Sequence, residues 1–185
     1  MKGINIEENI KNRIIDLITE GSEDRLIVFK PKENTGAIDL IVKKRGEYKP
    51  SIAPKRPKVS FKTGRVFSTL PKDKSKELSF QINIFIGPSK TNDIIKDILQ
   101  ESFISSKDFY LMFIYFDEVK QDVSNIWFIP SFVFSEIAER QKLKDNKTML
   151  KFETTVDPKK KDKYTKFLIA QKELGNFLLE IVETI

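Results

Sequence analysis

Two charged residues stand where an apolar pattern does not ask for them, and both are of types that act on phosphates. Asp39 interrupts the run Ala37-Ile-Asp-Leu-Ile-Val42, and Lys62 closes the alternating stretch Lys58-Val-Ser-Phe-Lys-Thr63. A carboxylate inside an apolar run is costly to bury alone, so Asp39 must sit at a strand end near solvent, bind a cation, or pair with a base. Alternation in the second stretch puts Val59 and Phe61 on one face, and Ser60 and Lys62 together on the other. A lysine projected in this way at a metal held by a neighbouring acid stabilises charge developing on a phosphate or orients the attacking water. The metal itself would polarise phosphorus and lower the pKa of bound water. The plainer readings stand beside these: a structural salt bridge or an edge position for Asp39, and a solvent-facing lysine on an edge strand for Lys62.

Composition narrows the chemistry. The 185 residues include neither cysteine nor histidine. Disulfide frameworks, thiolate nucleophiles, zinc fingers, Ser-His-Asp catalysis and His-ligated zinc or haem are therefore excluded. A catalytic metal would have to be a hard ion on oxygen ligands, of which magnesium is the commonest case.

The formal net charge of +6 is concentrated. Between 43 and 76 twelve lysines and arginines face only Glu47 and Asp73, so the remainder of the chain is net acidic. A local basic block suits a phosphate backbone, because each neutralised phosphate releases counterions. Lys43, Lys44, Arg45, Lys55, Arg56, Lys58 and Arg65 are the candidate nucleic-acid contacts, with Tyr48 and Phe67 as aromatics within the block. A second run, Lys159, Lys160, Lys161, Lys163 and Lys166, reads first as a solubilising surface. No stretch approaches the roughly 20 apolar residues of a membrane helix, and the N-terminus is charged and amphipathic rather than signal-like, so no membrane partner and a cytoplasmic location are expected.

The elements that must position these groups follow from periodicity. Asn5-Ile-Glu-Glu8 is an N-cap with a capping-box glutamate, and Ile6, Ile10, Ile14, Leu17 and Ile18 recur at helical spacing, which predicts a helix over 5–19. Strands are predicted at 25–30, 37–42, 58–63, 78–86, 109–116 and 125–129, helices at about 92–103, 131–141 and 171–184, and a last edge strand at 147–153. Pro50, Pro54 and Pro57 mark an extended loop. The expectation is one α/β domain spanning 1–185: a mixed central β-sheet flanked by helices, with a basic loop insertion at about 44–57.

A helix carrying an acid, a hairpin ending in Gly36-Ala-Ile-Asp39, and a strand with Ser60-Phe61-Lys62 together resemble the PD-(D/E)xK, or restriction-endonuclease-like, nuclease superfamily. Asn125-Ile-Trp-Phe-Ile-Pro-Ser131 is similar to the strand-to-helix junction of small members, and the tail, Asp162-Lys-Tyr-Thr-Lys with Glu173-Leu-Gly-Asn-Phe-Leu-Leu, to the ending of uncharacterised ones. The resemblance implies an αβββαβ core and Mg2+-dependent phosphodiester hydrolysis. Asp39 would be the central metal ligand, Ser60 and the Phe61 carbonyl further ligands, and Lys62 the catalytic lysine. Glu8 would be the extra acid from the first helix, with Glu7 close behind by spacing. It also implies nucleic acid as partner, DNA ahead of RNA, and a homodimer. Serine replaces the usual Glu or Gln at position 60. A second register takes Phe80-Gln81-Ile82-Asn83 as the motif strand, which keeps a Gln, replaces the lysine by Asn83 and implies an inactive member. The competing functional readings are therefore a non-catalytic nucleic-acid-binding module and an interaction protein for an acidic partner.

Overall fold

The computed structural model describes residues 5–31, 38–46, 77–88, 93–157 and 159–184. The first helix, α1 (Ile6–Gly21), begins as the sequence implies, with the Asn5 side chain accepting from the Glu8 N–H at 3.4 Å. After it come β1 (Leu26–Phe29), β2 (Leu40–Lys44), β3 (Glu77–Gly87) and β4 (Asp93–Leu99). β5 (Phe109–Asp117) and β6 (Asp122–Pro130) lead into α2 (Ser131–Ile137), then β7 (Glu139–Lys142), β8 (Thr148–Thr155), β9 (Leu168–Ile169) and α3 (Leu174–Thr184).

The result is a mixed α/β architecture. Six strands form the main sheet in the order β1-β2-β3-β5-β6-β9, in which only β3 and β5 run parallel. β4, β8 and β7 form a second, antiparallel sheet. β5 separates two cores. Met112 and Ile114 pack with Ile10, Ile14 and Ile18 of α1 and with Leu174 and Leu178 of α3. Leu111 and Phe113 pack instead with Ile98, Phe134, Leu150 and Phe152. Covering both faces is why the β5 run is almost wholly apolar. The register of β5 against β6 shifts between Tyr115 and Phe116, leaving Ser124 as an extra residue. That bulge explains how Val123 and Ile126, three apart, both reach the helical core.

Three expected elements are corrected. The segment expected to be a helix at 92–103 is the strand β4. Ile94 and Ile98 are buried, Lys96 is half-buried between them, and Ile95 on the other face is 53% exposed. A spacing of four satisfies both the helical and the strand period, and the β-branched isoleucines favour the strand. The crossover from β3 to parallel β5 therefore carries a strand of the second sheet rather than a helix. The helix expected at 131–141 stops at Ile137 and the chain turns into β7. The expected edge strand is β8, the middle strand of its sheet. The expected strand 58–63 lies outside the described residues.

At the crossing of α1 and α3 the two helices meet backbone to backbone. A Cβ on Gly175 would fall against the backbone of Gly21, Ser22 and Ile18, and one on Gly21 would lie 2.9 Å from the Gly175 nitrogen. Side-chain-free contact there lets both helices lie on the same sheet face.

Candidate functional site

β2 begins at Leu40, so Asp39 stands at its entrance, where the edge of β3 would otherwise lose its partner. The Asp39 N–H donates to the Phe80 carbonyl at 3.0 Å, and the Ile82 N–H donates to Asp39 Oδ2 at 2.8 Å. The carboxylate thus continues the ladder by one bond after the backbone has turned away. Its other oxygen, Oδ1, accepts from the Lys11 ammonium at 2.6 Å. Both side chains are about a quarter exposed, Lys11 at 27% and Asp39 at 25%. Two of the three options open to this acid are thereby realised together: a strand end and a basic partner.

Lys11 comes from α1, one turn after Glu8. Glu8 is bound by Lys30, which also donates to Asn12 Oδ1 at 2.9 Å. The Lys30 hydrogen bond and charge, with a smaller contribution from Lys11, hold the exposed Glu8 carboxyl below its ordinary range. The Lys11 ammonium accordingly binds Asp39, one of the two acids that were expected to share a metal, and acts on the other, Glu8, through its charge.

The strand beside Asp39 is β3, with Leu40 opposite Phe80 and Val42 opposite Leu78. Gln81, Ile82 and Asn83 are therefore the residues next along the edge from Asp39. Ser60, Phe61 and Lys62 lie outside the described residues. So do Lys55, Arg56, Lys58, Arg65, Tyr48 and Phe67. Of the basic candidates that are described, Lys43 pairs with Glu77 across the β2–β3 ladder and Lys44 with Glu183 of α3 at 2.6 Å. Arg45 is exposed, and its N–H donates to the Arg25 carbonyl at 2.7 Å. In the second lysine run, Lys159, Lys160 and Lys161 are exposed, whereas Lys163 donates to the Ile137 carbonyl at 2.9 Å and Lys166 lies over the Phe167 ring.

Among the described residues, the donor set around Asp39 is too small for a magnesium ion. One carboxylate oxygen carries an ammonium and the other an amide N–H, Glu8 is drawn off by Lys30, and no three acidic side chains converge among the described residues. A hard divalent ion takes several oxygens, and Lys11 would have to give up Asp39 for one to bind there.

On the face of β3 that meets the second sheet lie Gln81, Asn83 and Phe85. Asn83 Nδ2 and Gln81 Oε1 are buried with no hydrogen-bond partner among the described residues. An unmet buried group of this kind costs about 1–3 kcal/mol. Facing them from β4, Lys96 places its Nζ 5.3 Å from the centre of the Phe85 ring and 3.5 Å from the Ile84 carbonyl. Burial lowers the pKa of this amine, partly offset by Glu7 at the start of α1.

Lys96 and Lys11 are the residues that the sequence argument missed. Lys11 was within reach of it, since it follows Glu8 at i+3 and Glu7 at i+4 on one helix face. The signal for Lys96 was a cation alternating with Ile94 and Ile98, legible only once that segment is read as a strand. Comparison with known proteins finds no matching family model, no similar curated protein and no similar solved structure.

Proposed function

We propose that the chain is a nucleic-acid-binding protein on a nuclease-like α/β scaffold, one that holds its ligand by charge and without a metal ion. The observation that carries this reading is the Lys11–Asp39 ion pair at 2.6 Å, which supplies from within the chain the positive charge that the Asp39 carboxylate needs. Further support comes from the cationic block at 43–76, since a chain that is net acidic elsewhere concentrates its positive charge there. DNA stands ahead of RNA as the ligand by the nuclease likeness alone, as does a homodimeric form.

The test is fluorescence anisotropy with labelled single- and double-stranded DNA and RNA across a salt series, beside a gel assay for cutting. The expected results are affinity that falls steeply with salt, equal binding with EDTA or magnesium, unchanged affinity for Asp39→Asn, and intact substrate. Cutting in magnesium or manganese that Asp39→Ala abolishes would restore the hydrolytic reading. Absence of binding to every polyanion would leave the acidic-protein partner as the reading to pursue.

A further inference from the structure

A half-open cleft of about 510 Å³ lies where α1 passes the β5–β6 hairpin. Asn9 and Arg13 reach it from α1, one turn apart and on the side of the helix opposite Lys11. Its apolar lining is Ile6, Ile10 and the half-buried Phe116, and its remaining polar residues are Gln121 and Asp122 of the hairpin. Gln121 Nε2 is engaged by the Glu118 carbonyl at 2.6 Å. Arg13 Nε stands 3.8 Å from Asp122 Oδ1, an ion pair too long for a hydrogen bond. Among the described residues the guanidinium and the Asn9 side-chain amide therefore keep their hydrogen-bonding capacity, and Asp122 gives up only part of Oδ1, to the Val123 N–H at 2.8 Å. The two charges across the cleft cancel, which suits a neutral ligand better than an ion. A donor fork beside a carboxylate asks for acceptors and donors that are likewise adjacent, carried on a body with apolar faces for Ile10 and Phe116.

We propose that this cleft binds an unpaired guanine base. Guanine places its acceptors N7 and O6 beside the donors N1–H and N2–H2. Arg13 donates to N7 and O6 as a fork, and the Asp122 carboxylate accepts from N1–H and N2–H2. The faces of the base lie against Ile10 and Phe116. Adenine carries the donor N6–H2 in place of O6, so it would meet the guanidinium with a donor. In a duplex cytosine takes the N1–H and N2–H2 edge, which leaves a single strand or a free nucleotide as the source. Only the strand rests on the nucleic-acid reading, because a free guanine nucleotide offers the same base.

Guanosine, inosine and adenosine 5′-monophosphates share sugar and phosphate and differ only in the base, so each is titrated into isotopically labelled full-length protein. The guanine nucleotide should shift the Arg13 Nε–H and Asn9 side-chain amide signals with an affinity about tenfold above that of the adenine nucleotide, a factor ordinary for a hydrogen bond to a charged group. Inosine monophosphate, which lacks the N2 amino group, should fall between them. Asp122→Asn, which keeps an oxygen for the Val123 N–H, should remove the preference for guanine, and Arg13→Gln should weaken binding of the guanine and inosine nucleotides alike. Both side chains are more than two-fifths exposed, Arg13 at 43% and Asp122 at 49%, so neither variant endangers the fold. In parallel, anisotropy should show a thymidine strand with one central guanine binding more tightly than the same strand with adenine there. Guanine-dependent shifts with no binding of either strand would support the cleft, identify free nucleotide as its source, and sink the nucleic-acid reading alone. Shifts equal for the three nucleotides, or absent, would overturn the cleft, and salt-dependent binding of both strands alike would then leave the nucleic-acid reading standing.

Discussion

Asp39 carries two duties that a substitution separates. Asp39→Ala leaves the Ile82 N–H and the Lys11 ammonium without their acceptor, and should lower stability by about 2 kcal/mol. Lys11→Met removes only a part-exposed pair and should cost under about 1 kcal/mol. The double variant should fall short of the sum, because the partners touch, and urea unfolding of the four proteins measures the coupling. A second carboxylate is purely architectural. Asp162 accepts from Thr154 Oγ1 and the Tyr164 N–H, both at 2.7 Å, and from the N–H groups of Thr165 and Thr155 at 3.0 and 3.2 Å. Burial pushes its pKa up, but these hydrogen bonds prevail and hold it below the ordinary value. A carboxyl depressed in the folded state stabilises above its unfolded pKa of about 3.9 and loses that contribution as pH falls through the folded pKa. Melting temperature should therefore drop on acidification below about pH 4, with a shallower drop in Asp162→Asn. Asp39 was legible from the sequence because a charge within an apolar run demands a reason. Asp162 was not, since two of its partners, Thr154 and Thr155, reach it only when the chain folds back onto β8.

Among the elements, the contact between α1 and α3 is the most exacting. Gly175→Ala would drive a methyl into the Gly21–Ser22 backbone, which cannot yield as a flexible side chain would. A loss of about 3 kcal/mol, the upper end for overpacking, is expected, read as a fall in thermal midpoint larger than that of Gly21→Ala. The amphipathic α1, the wholly apolar β5 and the closing α3 were legible because each has one dominant period and strong caps or covering layers. β4 was not. Its Ile94 and Ile98 fit either period, and the deciding fact, a partner strand at β8, lies more than fifty residues on. Nor could the sequence show that β3 is a neighbour of β2, because strand neighbours depend on which edges meet.

At the scale of the molecule, charge is distributed less simply than the sequence suggests. Lys43 and Lys44 sit at the mouth of the basic block, yet Glu77 and Glu183 engage them, whereas Arg45 keeps its guanidinium at the surface. Lys43→Ala and Lys44→Ala should each change nucleic-acid affinity by less than about twofold. Arg45→Ala should weaken it across all sequences and reduce the slope of log affinity against log salt by about one. Anisotropy titrations at several salt concentrations separate the two outcomes. The layered α/β class was readable from the alternation of elements, but the second sheet was not, because two of its three strands, β4 and β7, lie where helical spacing was equally acceptable. One last consequence concerns the edge of β3 beyond Phe80, which no strand covers among the described residues. Open strand edges recruit other chains, and natural proteins blunt them with charge. Here a carboxylate sits on the Ile82 N–H and an ammonium beside the Ile84 carbonyl. Two opposite head groups thus occupy hydrogen-bonding positions on this edge that any further strand would need for its own ladder.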